Sequence, residues 1–227
     1  RRLRATDPLG HVTQWSYDPV GNVLTVTRPD GGVTTNAYDT VNRLVWTRDP
    51  KMQITQMGYD AAGNMTSLTD ARNNTYEFTY DLNNRRTSMI YPDGSHEDYD
   101  YDEVGNLLGY RNRAGNIRTY TYDNRNREVA SAWDDGVTPA ISRSYDATGR
   151  LLTLDNGIAC LTYTYDAANQ LLSETQDIGC GGGMGILPVQ YSYDLDGNRA
   201  TMTCPDGTVV SYEYTARNQL AAISGQS

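Results

Sequence analysis

The chain has 227 residues, 38% of them hydrophobic, and its 28 Asp and Glu outnumber its 19 Lys and Arg for a net charge of −9. That balance repels phosphates, which argues against nucleic acid or an anionic membrane as partner. No apolar run approaches the roughly 18 residues of a membrane span, and 18 Tyr recurring in register with Val, Leu and Thr exclude disorder.

In chain order, the first signature is Tyr17-Asp18-Pro19-Val20-Gly21. About six strand-prone residues follow, then a second turn, Pro29-Asp30-Gly31. The tyrosine then returns at Tyr38, Tyr59, Tyr80, Tyr101, Tyr122, Tyr145, Tyr165, Tyr193 and Tyr214, mostly at steps of 21 residues. A fixed period of this length marks a repeat array. Asp follows the tyrosine at Asp18, Asp39, Asp60, Asp81, Asp102, Asp123, Asp146, Asp166 and Asp194; Thr215 takes its place in the last unit. Four residues after each tyrosine stand Gly21, Asn42, Gly63, Asn84, Gly105, Asn126, Gly149, Asn169, Gly197 and Asn218. Gly and Asn enter the left-handed region most cheaply, so this position is expected to have positive φ. Their alternation implies a higher period near 42 residues, as if a pair of units had been duplicated.

Each Tyr-Asp stretch reads as a type I turn closed by a left-handed residue. Second turns recur at Pro92–Gly94 and Pro205–Gly207, with variants at Asp49-Pro50 and Asp134-Asp135-Gly136. Two turns per unit leave two strands of about six residues. Trp15, Phe78, Tyr99, Tyr120, Tyr163, Tyr191 and Tyr212, two before the tyrosine, share its face. Ser16, Ala37, Thr79, Thr121, Ser144, Thr164 and Ser192 fall on the other. An apolar position recurs after the first turn at Leu24, Val45, Leu108, Val129, Leu152 and Leu172. The fold class is therefore all-β: one long, half-wet antiparallel sheet of about ten two-stranded units. Roughly 20 strands exceed what an open twisted sheet holds without curling.

The ten registered units, nine of them Tyr-Asp-x-x-Gly/Asn, resemble the YD-repeat, or Rhs-repeat, family along the whole chain. That family includes bacterial Rhs polymorphic toxins, C subunits of insecticidal ABC toxin complexes, and teneurins. The resemblance implies a sheet spiralling into part of a hollow, β-solenoid-like shell that encloses or carries a toxin or other polypeptide. It implies a secreted or cell-surface protein whose partners are other segments of the same shell and an enclosed toxin polypeptide. A propeller is the competing architecture, since a 42-residue pair holds four strands, but its blade signature is absent and the steps drift to 20, 23 and 28. Both ends fall mid-repeat, so an excerpt of a larger protein is expected.

No catalytic, cofactor-binding or metal site emerges, and the expectation is a non-enzyme. The aspartates follow the turn rhythm, where a carboxylate bonds nearby backbone N–H groups. Asp194–Asn198 resembles the start of a calcium loop, but Pro205 stands where the closing Glu belongs. His11 and His96 lack metal-ligand spacing. Cys160 and Cys180 each lie fifteen residues after a tyrosine. Two strands of separation put them about 9.6 Å apart, too far to bridge, so reduced thiols are expected. Cys180–Gln190 is an insertion, read as a loop, that lengthens one step to 28. Exposed Tyr, Trp and Asp leave an adhesion surface for a cell-surface glycan, or a repeat-built extracellular filament, as alternatives.

Overall fold

The computed structural model describes residues 1–180 and 185–226, and every regular element among them is a β-strand. Contacts divide the chain into two units: residues 1–100 with 110–115, and residues 101–109 with 116–227.

The first unit contains β1 (Arg4–Thr6), β2 (Val12–Tyr17), β3 (Val23–Thr27), β4 (Val33–Tyr38), β5 (Leu44–Arg48), β6 (Ile54–Tyr59), β7 (Met65–Thr69), β8 (Thr75–Tyr80), β9 (Arg86–Ile90) and most of β10 (His96–Tyr101). Each strand pairs antiparallel with the next, from β1 through β10. The boundary between units also falls within β11 (Leu107–Arg111). The second unit holds β12 (Ile117–Tyr122), β13 (Glu128–Trp133), β14 (Ile141–Tyr145), β15 (Leu151–Asp155), β16 (Ala159–Tyr165), β17 (Leu171–Ile178), β18 (Ile186–Tyr193), β19 (Arg199–Thr203), β20 (Val209–Tyr214) and β21 (Leu220–Gln226). It too is a sequential antiparallel meander.

Most turns of both kinds are built alike, the second turns at 134–140 and 156–158 excepted. At the Tyr-Asp turn, Asp39 N–H donates to the Arg43 carbonyl and Asn42 N–H to the Asp39 carbonyl; at the second turn, Arg28 N–H donates to Gly32 and Gly31 N–H to Arg28. This is a three-residue hairpin loop whose last residue takes the left-handed conformation. The ten Gly/Asn positions have φ between 57° at Asn218 and 115° at Gly21. The second turns add one surprise, Met52, at φ 66° without Gly or Asn chemistry. The register also slips once beside the Tyr17 turn and eight others: Ser16 opposes Thr25, but Tyr17 opposes Val23, leaving Leu24 as a bulge residue. Val45, Leu152 and Leu172 occupy the same slot at their own turns. The recurring apolar position is thus the bulge.

No hydrophobic side chain among the described residues is fully buried, and the only buried residue is Ser131 at 3% exposure. The aromatic face half-covers itself: Trp15, Phe78, Tyr99, Tyr120, Tyr163, Tyr191 and Tyr212 are all of intermediate burial. The opposite face is wetter, and its hydroxyls pair across strands, with Ser16–Thr25, Ser144–Thr153, Thr164–Ser173 and Ser192–Thr201 each at 2.6 Å.

Two expectations about the insertion are corrected. Ile186–Gln190 are not loop but the first part of β18, pairing with β17 from Asp177↔Ile186 to Ser173↔Gln190. Residues 181–184 of the expected loop lie outside the described residues. The extra residues lengthen the hairpin, giving both β17 and β18 eight residues. Cys160 and Cys180 are not free thiols: they form a disulfide with Cα atoms 5.2 Å apart. The rule of two strands per repeat still holds. The insertion displaces the turn, so Cys180 sits just after β17, next to β16, where an uninterrupted repeat would place it on the strand beyond.

Candidate functional site

The repeated tyrosine does more than pack. Its hydroxyl donates to a backbone carbonyl of the preceding repeat: Tyr17 to Arg2 at 2.8 Å, Tyr38 to Val23 at 3.1 Å, Tyr59 to Leu44 and Tyr80 to Met65 both at 2.9 Å. In the second unit Tyr122 reaches Leu107, Tyr145 reaches Glu128 and Tyr193 reaches Leu171, each at 2.9 Å, and Tyr165 reaches Leu151 at 3.0 Å. From Tyr38 onward the acceptor is six residues after the preceding repeat tyrosine, beside the bulge, where the regular ladder is interrupted and a carbonyl needs another donor. Sequence spacing puts Tyr at a half-buried position; it does not reveal this acceptor. Tyr101 and Tyr214 close β10 and β20 in the same way that the others close their strands.

The turn aspartate organises its own loop. Asp39 Oδ1 accepts from Val41 N–H and Arg43 N–H at 2.9 Å each, and Oδ2 accepts from Arg43 Nε at 2.7 Å. Asp60, Asp81, Asp102, Asp123, Asp146 and Asp194 repeat the pattern with Asn64, Arg85, Asn106, Arg127, Arg150 and Asn198. Asp166 Oδ1 takes the N–H groups of Ala168 and Gln170. Thr215 Oγ1 substitutes, accepting from Arg217 and Gln219 at 3.3 and 3.2 Å. These bonds favour the ionised carboxylate. The backbone bond from Arg43 lowers the Asp39 pKa, and the Arg127 side chain brings Asp123 down to about 2. A general acid needs the opposite shift.

The alternation of Gly and Asn now has a physical account. The residue after Gly is Asn in four of the five Gly units, and after Asn42, Asn84 and Asn126 it is Arg. Asn22, Asn64, Asn106 and Asn198 each donate Nδ2 to the Oδ1 of the next unit's Asn42, Asn84, Asn126 and Asn218, at 2.8–3.1 Å. The arginines cross the next junction differently. Arg43 donates to the Asp60 carbonyl at 2.7 Å and lies 4.7 Å over the Tyr59 ring; Arg127 and Arg150 treat Asp146/Tyr145 and Asp166/Tyr165 alike. Two kinds of connector therefore serve this edge, and their alternation ends where Arg127 and Arg150 follow one another. Arg1 plays the arginine part toward Tyr17, and a Cβ on Gly21 would lie 2.7 Å from Arg1 Nη2.

The repeated tyrosines are consequently not stacked ring on ring. Successive copies lie two strands apart, about 9.6 Å, beyond direct ring contact. Guanidinium groups and carbonyl hydrogen bonds bridge that distance instead. Direct ring contacts are local, as between Tyr76 and Tyr91 at 5.8 Å and Tyr99 and Tyr110 at 5.3 Å. Tyr99 also bonds Glu97 and Arg86, and burial first, with the Glu97 bond second, pushes its hydroxyl up to about 12.

His11 pairs with Asp7 at 2.9 Å, and His96 touches Arg111 and Asp98 on an ion-paired surface. One group of potential metal donors appears among the described residues: Asp155, Cys160 and Cys180.

The RHS Repeat family profile matches residues 1–34, 38–75, 59–96 and 101–138, more than half of the chain. No curated protein matches it. Among solved structures, a chain of the crystal structure of TcdB2-TccC3-TEV superposes on 97% of this chain with a TM-score of 0.74 at 16% identity. The TcdB2-TccC3-Cdc42 structure gives 0.71 over 96% at 14% identity, and the Photorhabdus luminescens Tc holotoxin pore 0.51 over 90% at 16%. This chain spans 13% of the first of those chains and 14% of the other two. At these identities the likeness is one of fold.

Proposed function

The chain belongs to the RHS repeat family, and from that premise we propose that it is a wall segment of a β-sheet shell that encloses or carries another polypeptide, without catalysing a reaction itself. The observation that carries this reading is the tyrosine-to-carbonyl bond made in repeat after repeat. A bond of that kind fastens each repeat to the one before and lets an array grow without a hydrophobic core, which suits a thin wall. The lowered aspartate pKa values and the occupied tyrosine hydroxyls favour a mechanical role over acid–base chemistry. The partners proposed are neighbouring shell segments and an enclosed polypeptide such as a toxin. The Cys160–Cys180 disulfide favours a secreted or cell-surface location, where such bonds persist.

Limited proteolysis of the full-length gene product, followed by mass spectrometry, tests the proposal. A polypeptide segment should survive protease while the shell is folded and be digested once it is unfolded. Uniform digestion of everything outside the repeats, together with binding on a glycan array, would replace the shell with an adhesion surface.

A further inference from the structure

We propose that Asp155, Cys160 and Cys180 form a redox-gated site for one thiophilic divalent cation of the zinc type. Neighbouring strands bring the donors together: Asp155 on β15 opposes Cys160 on β16, and the inserted residues return Cys180 to the same place after β17. One ligand atom from each lies within 4.8 Å of the others, at intermediate burial, and Cys180 Sγ is 3.4 Å from Asp155 Oδ1. In the oxidised chain the two sulfurs are bonded to each other and hold no cation.

Two molecules of an external thiol reduce the bridge, giving two cysteine thiols and one external disulfide. Both thiols then lose a proton as they ligate the cation, so two protons leave for each ion bound. Without an ion, two thiolates beside a carboxylate would repel one another; a divalent cation removes that cost. Two sulfurs and one oxygen suit a zinc-type ion, with the fourth tetrahedral position open to water. Asp177 stands across from Cys160 in register on β17. The inserted hairpin is thereby pinned to β16 in oxidising and reducing surroundings alike, by a covalent bond in one and an ion in the other.

The test uses the full chain with Cys204→Ser, which removes the one free thiol, and Co²⁺ as the probe. The reduced chain should bind one Co²⁺ with a thiolate-to-metal charge-transfer band, and Zn²⁺ should displace it. The oxidised chain and Cys160→Ser should show no such band. Asp155→Asn, which keeps both sulfurs, should weaken binding on the order of 10-fold or more. A reduced chain with intact strand circular dichroism and no band would leave a structural disulfide only and overturn the proposal. Undiminished affinity in Asp155→Asn would overturn it as well.

Discussion

Tyr59 Oη donates to the Leu44 carbonyl at 2.9 Å, joining two repeats at the point where the strand ladder is broken by a bulge. Tyr59→Phe keeps the ring under Arg43 and removes only this bond. It should cost about 0.5–1.5 kcal/mol, read as a lower denaturant midpoint at unchanged m-value. A neutral outcome would mean that water satisfies the Leu44 carbonyl equally well.

Asn42 and Gly63 occupy equivalent turn positions but should not be interchangeable. Asn42 Oδ1 accepts from Asn22 Nδ2 at 2.9 Å, so Asn42→Gly should cost up to about 1 kcal/mol. In that background Asn22→Ala should cost little more, the non-additivity expected of a direct pair. Gly63 sits at φ 97°, beyond the 57–67° of the asparagines, and no neighbour crowds it. Gly63→Val should therefore cost about 1–2 kcal/mol through backbone strain alone. Thermal melts of these variants would separate the two roles.

The parts legible in the sequence are those written in local backbone chemistry. Gly and Asn at one phase of the period demanded positive φ, and the aromatic residues two before seven of the ten repeat tyrosines fixed the sides of the sheet. Less legible was anything whose partner is backbone: Leu44 offers only its carbonyl to Tyr59, and a carbonyl leaves no residue-type signal. The connectors were written in plain view, in the Asn22, Arg43, Asn64 series one residue after the Gly/Asn position, but only the geometry shows that these side chains reach the next repeat. The cysteines misled because equal spacing from a tyrosine means equal position only where no insertion intervenes. Between Cys160 and Cys180 the lengthened hairpin changed which strand the later residue occupies.

Met52 holds φ 66° at a turn where the equivalent residues are Gly31, Asn73 and Gly94. Met52 is 65% exposed, so little packing opposes a change. Asn tolerates the left-handed region without the entropic cost of Gly. Met52→Asn should stabilise the chain by roughly 0.5–1 kcal/mol, seen as a raised Tm. A lower Tm would show that the thioether makes a contact worth more than the strain it imposes.

Acid should loosen the Tyr-Asp edge. The Arg127 side-chain hydrogen bond, opposed by burial and joined by the N–H groups of Arg127 and Arg125, lowers the Asp123 pKa from its ordinary value to about 2. Asp39, Asp60, Asp70, Asp81, Asp93 and Asp194 are lowered too, through similar turn bonds. A carboxylate whose folded pKa is depressed contributes stability that is fully present above its unfolded value and lost as pH falls toward the folded one. Melting temperature should hence be nearly level with respect to these groups above about pH 5 and fall between roughly pH 4 and 2. Asp123→Asn should be less stable than wild type at pH 7, and that gap should close across the same window. A gap that stayed constant down to pH 2 would show that the Asp123 charge contributes nothing to the turn.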